Sequence, residues 1–185
     1  GRVSPTTAEH VASEFEALSE AELIIVDGGA CSVGIESTIV DATRGEPFVL
    51  RPGMITAEQI AQACGQAVHA ADAQAPKVSG SLASHYAPQA RVVLGDTPQL
   101  KAALAALSAD DRVSGRFAVY ARAEVAVPEG LAAERMPAEA AACAHEVFAV
   151  LRRLDTPGRE TIWVHTPPPE PLWDGVRDRL QRAAA

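Results

Sequence analysis

Two adjacent hydroxyl residues and a later arginine are the side chains of this sequence best suited to bind an anion. Ser37 and Thr38 lie in an apolar run at residues 34–41, which reads Gly-Ile-Glu-Ser-Thr-Ile-Val-Asp. Arg51 lies in the segment Leu-Arg-Pro-Gly at residues 50–53. A hydroxyl donates to a carboxylate without adding charge, and a guanidinium offers a fork of N–H donors to phosphate or carboxylate. On neighbouring strand ends, these residue types predict a site for a phosphate or carboxylate ligand.

Each of these residues also has a plain structural interpretation. Threonine is common in β-strands, so the hydroxyl pair is compatible with an ordinary strand. An arginine before Pro-Gly is compatible with a surface turn. His85 and Tyr86 raise the same question, because they end a stretch from Val68 to Pro88 that is otherwise rich in Ala, Ser, Gly and Pro. The pair either serves a site or anchors this linker by packing onto a neighbouring domain.

The elements that must position these groups are short. A helix is predicted from Thr6, an N-cap with Glu9 at the capping-box spacing, to about Leu18. The elements predicted after it are a strand at Leu23–Val26 with a turn at Asp27-Gly28-Gly29, strands at Ser37–Val40 and Phe48–Arg51, and a helix from Thr56, capped with Gln59, to about Ala67.

A regular alternation of strands and helices begins at Arg91 and predicts a parallel, three-layer α/β unit. No Gly-x-Gly-x-x-Gly follows its first strand, so dinucleotide binding there has no support. The predicted strands are Val92–Leu94, Arg116–Tyr120, Glu134–Met136 and Thr161–His165, and the predicted helices are Pro98–Leu107, Pro137–Leu154 and Leu172–Ala184. On the last helix the residues predicted to face inward are Leu172, Val176 and Leu180, and those predicted to be solvated are Arg177, Asp178, Arg179 and Arg182.

Composition argues against several classes of function. The 185 residues carry a formal net charge of −8 at pH 7, whereas a broad nucleic-acid-binding face needs clustered Lys and Arg. The three cysteines lie far apart and show no ligand spacing with the five histidines, so no structural zinc site is expected. The thiols are expected to be reduced and mostly buried, and we see neither an apolar run of ~18 residues nor a signal peptide. Together these observations predict a cytoplasmic protein without a membrane span. A first residue that is Gly1 rather than Met indicates a fragment or a processed piece.

Six short motifs, taken in order, resemble one enzyme family. They are Ser-Pro-Thr-Thr-Ala-Glu-His-Val at 4–11, Asp-Gly-Gly at 27–29, the runs at 34–41 and 50–53, Ser-Gly at 79–80 leading to His-Tyr-Ala-Pro at 85–88, and Asp-Arg-Leu-Gln-Arg-Ala-Ala at 178–184. Over nearly its whole length the chain resembles the long, two-domain form of L-threonylcarbamoyladenylate synthase. The resemblance implies an α/β fold with an incomplete YrdC-like catalytic piece at 1–67, a linker at 68–90 and a Rossmann-like, parallel-sheet domain at 91–185.

The same resemblance implies an activity and the residues that serve it. L-threonine, bicarbonate and ATP would give threonylcarbamoyl-AMP and pyrophosphate, a nucleotidyltransferase step in the t6A modification of tRNA. Ser37 is then expected to contact L-threonine. Arg51 and Tyr86 are expected to contact the nucleotide, with Ser4 or Thr6 beside it and Tyr86 closing over it from the linker; no catalytic residue is assigned. Mg²⁺ would arrive with ATP rather than in a protein-held metal site. The product would pass to the downstream t6A-transfer machinery, with no direct binding of tRNA or membrane by this chain.

One departure from the family pattern limits this expectation. In the family, a Lys-x-Arg pair and a Ser-x-Asn motif precede the Ser-Pro-Thr segment, and this sequence begins after the place where they belong. We therefore expect the 185 residues alone not to catalyse the full reaction, which ATP–pyrophosphate exchange with L-threonine and bicarbonate tests. The first ~67 residues are also expected to be poorly stable unless another segment supplies sheet partners.

Two other interpretations remain open. Carbamoyl-transfer maturation factors of hydrogenases share the YrdC-like domain, but they should carry acylphosphatase and zinc-finger segments, and this sequence shows no zinc spacing. Alternatively, the chain is a non-catalytic nucleotide-binding, regulatory or interaction module. Calorimetry tests whether residues 91–185 alone bind ATP. It thereby distinguishes an interaction role of that part from a role in nucleotide binding.

Overall fold

The fold consists of two parts, each built on its own sheet. The computed structural model describes residues 2–80 and 85–185. The elements of the first part are α1 (Ala8–Glu14), β1 (Ile39–Asp41), β2 (Phe48–Arg51), α2 (Ala57–Cys64) and β3 (His69–Ala70). In its sheet β2 is the central strand, antiparallel to β1 and parallel to β3.

The second part is a parallel α/β unit, which confirms the predicted fold class. Its elements are β4 (Arg91–Gly95), α3 (Thr97–Ala105), α4 (Ala109–Val113), β5 (Phe117–Ala121), β6 (Ala132–Arg135), α5 (Ala140–Leu154), β7 (Thr161–His165) and α6 (Asp174–Ala183), with a short 3₁₀ turn at Pro171–Trp173 before α6. The four strands are parallel and lie in the order β4-β7-β5-β6. The last strand of the chain is therefore inserted between the first two of this unit.

Helices cover both faces of the parallel sheet and give it three layers. Successive residues of β5 alternate between two apolar clusters, as expected when both faces of a strand are buried. Val119 packs with Leu100 of α3 on one face, and the opposite face packs against α5 and α6, which include Phe148. Ile35 and Tyr86 belong to this second cluster. The apolar core thus continues from the α/β unit into the first part of the chain.

The first helix begins and ends differently from the prediction. Its N-cap is Thr7, whose hydroxyl accepts the backbone N–H of His10 at 3.2 Å, and not Thr6. Thr6 is buried instead, with its hydroxyl 3.2 Å from His10 Nδ1. The helix ends at Glu14 and not at about Leu18 as predicted, and Leu18 is exposed.

Residues 23–26 do not form the predicted strand. Ile24 and Val26 are 82% and 86% exposed, and no strand among the described residues pairs with this segment. A strand needs a neighbour to satisfy its backbone N–H and C=O groups. The β-branched composition of the segment was therefore insufficient to produce a strand.

Several side chains differ in burial from the prediction. Arg179, predicted on the solvated face of the last helix, is fully buried, whereas Leu172, predicted to face inward, is 56% exposed. Leu172 lies in the 3₁₀ turn before α6, where the tighter period changes the direction of the side chain. Cys31 and Cys64 are exposed free thiols, and Cys143 is a buried one.

The predicted linker is fixed at both of its described ends; residues 81–84 within it lie outside the described residues. At its start, β3 pairs with β2. At its end, the backbone N–H groups of Gln89 and Ala90 donate to the Asp155 carboxylate at 2.7 and 2.9 Å, and that of His85 donates to the Arg182 carbonyl at 3.2 Å. Within the part of the chain that the structure describes, no helix is long and apolar enough to cross a membrane.

Candidate functional site

Arg51 is held at the end of β2 by backbone carbonyl groups. Its side chain is buried; Nε and Nη2 donate to the Ser37 carbonyl at 3.1 and 2.9 Å, and Nη1 donates to the Ser79 carbonyl at 3.0 Å. Because a side chain engages the Ser37 carbonyl, β1 begins at Ile39 and not at Ser37 as predicted. Among residues 2–80 and 85–185, no carboxylate pairs with Arg51. A buried cation that is balanced only by carbonyl dipoles favours an anionic ligand.

The two adjacent hydroxyl residues have different roles. Thr38 donates to the Ile55 carbonyl at 2.8 Å and so ties β1 to the loop after β2. That loop approaches closely at Gly53, where an added Cβ would lie 2.5 Å from the Thr38 backbone nitrogen. Ser37 is exposed, and its hydroxyl has no hydrogen-bond partner among the described residues. Thr38 and Gly53 therefore fix the backbone, and Ser37 presents the hydroxyl available to a ligand.

Tyr86 is a buried anchor that ends beside Arg51. The side chain is fully buried, with its ring centroid 5.2 Å from that of Phe148, and its φ of +64° lies in the left-handed region that few non-glycine residues adopt. A Cβ added at Gly80 would overlap the phenol oxygen and lie 3.3 Å from Arg51 Nη1, so the three groups meet. Burial raises the pKa of Tyr86, and the neighbouring Arg179 and Arg51 oppose that rise. The phenol oxygen lies beside Arg51, but no hydrogen bond of good geometry reaches it from the described residues. The structure shows the anchoring role of this residue.

Ser4 joins this cluster through Glu36, whereas Thr6 faces another residue. Ser4 Oγ donates to Glu36 Oε1 at 2.5 Å, and Arg179 Nε donates to Oε2 of the same carboxylate at 2.8 Å. Burial acts to raise the pKa of Glu36, but the hydrogen bonds from Ser4 and Arg179 outweigh it and lower that pKa. Glu36 is therefore an ionised link between the two residues. The Thr6 hydroxyl lies against His10, so only one of the two predicted hydroxyls reaches Glu36.

Glu36 and Arg179 were not predicted as members of the site. Arg179 also donates from Nη1 to the Pro52 carbonyl at 2.9 Å and to Asp178 Oδ2 at 2.7 Å, and from Nη2 to the Glu36 carbonyl at 3.2 Å. One signal for its inward position existed in the sequence. Arg179 follows the buried Val176 by three residues, which places both on one face of a helix.

Two cavities lie near this cluster, and neither is lined by Ser37, Arg51 or Tyr86. The smaller, about 360 Å³, lies between the loop after β2 and α6, and its lining includes Pro52, Gly53, Thr56, Asp174, Arg177 and Asp178. The larger, about 490 Å³, lies between α1, the end of the linker and α5, and its lining includes Arg2, His10, Glu14, Pro88, Arg152 and Asp155. The described residues contain no group of three or more His, Cys, Asp or Glu side chains that could hold a metal ion. The candidate site is thus a buried junction with one exposed hydroxyl.

Family models match both parts of the chain. Residues 55–185 match the model described as "Threonylcarbamoyl-AMP synthase, C-terminal domain". Residues 1–53 match a second model, described as "Telomere recombination". The boundary between the two matches falls in the loop after β2.

Curated relatives carry the same name as the first model. The chain is 38% identical to threonylcarbamoyl-AMP synthase of Pyrococcus abyssi over 106 residues, which are 55% of this chain and 30% of that protein. It is 36% identical to the Schizosaccharomyces pombe protein of that name over 50% of this chain and 24% of that protein. It is 38% identical to the Bacillus subtilis protein of that name over 51% of this chain and 28% of that protein.

Solved structures show the same likeness across the whole chain. The structure of P. abyssi Sua5 complexed with L-threonine superposes with a TM-score of 0.80 at 26% identity, covering 100% of this chain and 55% of that one. A variant of P. abyssi Sua5 in which a histidine and a tyrosine are replaced by alanine superposes with a TM-score of 0.79 at 24% identity, which supports the fold. The chain spans about half the length of these proteins.

Proposed function

Because the chain belongs to the threonylcarbamoyl-AMP synthase family, we propose that it forms the L-threonine- and nucleotide-binding part of such an enzyme. The reaction joins L-threonine, bicarbonate and ATP into threonylcarbamoyl-AMP and releases pyrophosphate. The observation that carries the proposal is Arg51, a buried guanidinium with no carboxylate partner among the described residues, which lies beside the exposed Ser37. A solved relative bound to L-threonine supports an amino-acid ligand with a carboxylate group.

Each site residue has a proposed role in binding. The Ser37 hydroxyl donates to the carboxylate of L-threonine. Arg51 uses the N–H groups that are not engaged by the carbonyls to bind the nucleotide phosphates, with Tyr86 and Ser4 beside them. Thr6, whose hydroxyl lies against His10, supports the first turn of α1 behind Ser4. These roles suit the chemistry, because a reaction between anionic substrates depends on positioning them and on neutralising the charge that develops at phosphate.

The substrates and the cellular setting follow from the same proposal. Mg²⁺ enters as part of the ATP substrate, since Mg²⁺ in nucleotide sites is held largely by phosphate oxygens and water. The product is used to convert tRNA to its t6A form by a separate transfer machinery. We place this step in the cytoplasm, where three free thiols are chemically stable.

A chimera provides the test, because the chain spans about half the length of its relatives. The N-terminal region of the B. subtilis synthase that this chain does not match is joined to residues 1–185. We expect pyrophosphate release and threonylcarbamoyl-AMP formation only when L-threonine, bicarbonate and ATP are all present. A folded chimera that forms no product with the complete mixture contradicts the proposal.

Ser37→Ala tests the threonine contact within that chimera. Loss of a hydrogen bond to a charged group costs about 1.5–3 kcal/mol, so the KM for L-threonine should rise by about tenfold or more. Ser32→Ala is the matched control, because it removes another exposed serine hydroxyl upstream of the same strand. Equal KM values for the two variants would exclude Ser37 from threonine binding.

A further inference from the structure

Arg179 is the side chain that joins the segments around residues 36, 52 and 86 of the candidate site. It lies on α6, in the second part of the chain, and is fully buried. Its partners Glu36 and Pro52 each adjoin a proposed binding residue, since Glu36 precedes Ser37 and Pro52 follows Arg51. Its guanidinium carbon also lies 5.3 Å from the centroid of the Tyr86 ring.

The geometry of Arg179 is fixed by several bonds at once. Four of the five N–H groups of its guanidinium donate, and two of these bonds go to backbone carbonyls at residues 36 and 52. Because the guanidinium is planar, these bonds set the distance between the two backbone segments. The charge of Arg179 is compensated by the carboxylates of Glu36 and Asp178. The group therefore fixes geometry without offering free charge to a ligand.

A second contact of the same helix lies one turn earlier. Gly175 of α6 packs against the loop after β2, where an added Cβ would lie 2.8 Å from the Gly53 carbonyl oxygen and 2.9 Å from Ile35 Cδ1. The helix backbone thus approaches this loop closely at Gly175, while Arg179 donates to it four residues later. Two successive turns of one helix therefore contact the same point of the loop, at Pro52 and Gly53.

We propose that Arg179 is a positioning residue through which the C-terminal α/β unit sets the relative placement of Ser37 and Arg51. The proposal rests on the proposed function, because it gives the second part of the chain a role in that same site. Arg179 touches neither ligand; it acts by holding the backbone at residues 36 and 52. The α/β unit is accordingly the support of the site and not a separate binding module.

The first test measures geometry on the 185-residue chain itself and needs no activity. Amide hydrogen exchange is compared in the unchanged chain, in Arg179→Lys and in Arg177→Met. Lysine keeps the positive charge beside Glu36 but cannot bridge both carbonyls, so exchange should rise about tenfold at the amides of residues 36–38 and of Arg51 and Gly53. Arg177 pairs with Asp174 and the Pro168 carbonyl instead, so its replacement should leave those amides unchanged. Unchanged protection in a folded Arg179→Lys chain overturns the proposal.

The second test measures catalysis in the chimera. Arg179→Met should lower kcat and raise the KM for L-threonine, each by about tenfold, whereas Arg177→Met should change neither. A merely structural role predicts less folded protein with normal kcat and KM per folded molecule, and that result overturns the proposal. If Arg179→Met fails to fold, the double variant Glu36→Gln with Arg179→Met removes the partly buried carboxylate that has lost its ion-pair partner. The refolded double variant should keep the raised KM for L-threonine, and a normal KM in that variant also overturns the proposal.

The two tests separate this proposal from the proposed function. If the chimera without any substitution is inactive, the proposed function is contradicted, whereas the exchange test still decides the role of Arg179.

Discussion

At the scale of single residues, the site depends on the difference between two buried arginines. Arg179 is compensated by carboxylates, whereas Arg51 is bonded only to carbonyl groups of Ser37 and Ser79 within the described residues. In an ion pair the charge of the cation is compensated by the carboxylate. A cation that is bonded only to neutral acceptors remains uncompensated, so it attracts an anionic ligand more strongly. Arg179 is thus a structural cation and Arg51 the one suited to bind an anion.

Replacing Arg51 by alanine should weaken ATP binding to the chimera by about 1.5–3 kcal/mol, because charge-assisted hydrogen bonds are lost. It should also lower the free energy of unfolding, since the carbonyls of Ser37 and Ser79 lose their donors. Calorimetry with ATP and urea unfolding measure the two effects. Arg44→Ala is the control. The charge of Arg44 is compensated by Asp41 and Asp72, so its replacement should leave the ATP affinity unchanged. An unchanged ATP affinity in folded Arg51→Ala would remove this residue from the nucleotide site.

At the scale of elements, α6 connects the two parts through a glycine in its first turn. Alanine is normally better than glycine in a helix by about 1 kcal/mol. At Gly175, however, the added methyl group would meet the Gly53 backbone and the Ile35 side chain. We therefore expect Gly175→Ala to destabilise the chain by about 1–3 kcal/mol, as overpacking does elsewhere.

Urea unfolding with Gly28→Ala as a control checks this expectation. Gly28 has no heavy atom within 4 Å of an added Cβ, so its replacement should change the free energy of unfolding by less than about 0.5 kcal/mol. A stabilising effect of Gly175→Ala would mean that the loop moves away at little cost. In that case the close approach of α6 would not constrain the site.

The elements predicted well are those specified by local chemistry. β2 and β7 have the predicted bounds, and the capping box of Thr56 and Gln59 begins α2 as expected. Thr6 and Thr7 are chemically equal as caps, and the choice between them depends on how His10 is placed. The segment 23–26 has strand composition, but pairing is a tertiary property that no local pattern contains.

Members of the candidate site could be proposed from the sequence where residue type defines the chemistry, but not where packing decides. Ser37 and Arg51 were identified from their functional groups, and the structure brings them together. Tyr86 was also identified, but its burial as an anchor depends on a partner distant in sequence. Arg179 was assigned to solvent because of its charge, although its helical position placed it inward. The prediction from charge was wrong because the carboxylate that pairs with Arg179, that of Glu36, comes from a distant segment of the chain.

At the scale of the whole molecule, one buried and two partly buried histidines make stability depend on pH. The pKa values of His10, His85 and His165 lie below the ordinary value of 6.5, chiefly because burial disfavours the charged ring. Around His165, Arg122 lowers the pKa further, and Glu124 acts in the opposite direction. Below pH 6.5 the unfolded chain therefore binds more protons than the folded chain.

We expect the free energy of unfolding to have its full value above about pH 6.5 and to decrease as the pH falls toward 5. The depressed pKa of Glu36 adds a further loss at still lower pH, where that carboxylate becomes protonated. Urea unfolding between about pH 7.5 and pH 5 measures the slope, and His165→Gln should make it shallower. A stability that stays constant or rises on acidification would show that these rings are solvated.

The position of Arg179 in the chain also determines when the site is completed during synthesis. Glu36 and Pro52 leave the ribosome 143 and 127 residues before the arginine that binds them. Domains made first commonly fold first. Here, the segment around residues 36–53 lacks its partner until α6 has emerged, so an early stop codon or a stalled ribosome upstream of α6 would release a chain in which the proposed anion site is not assembled.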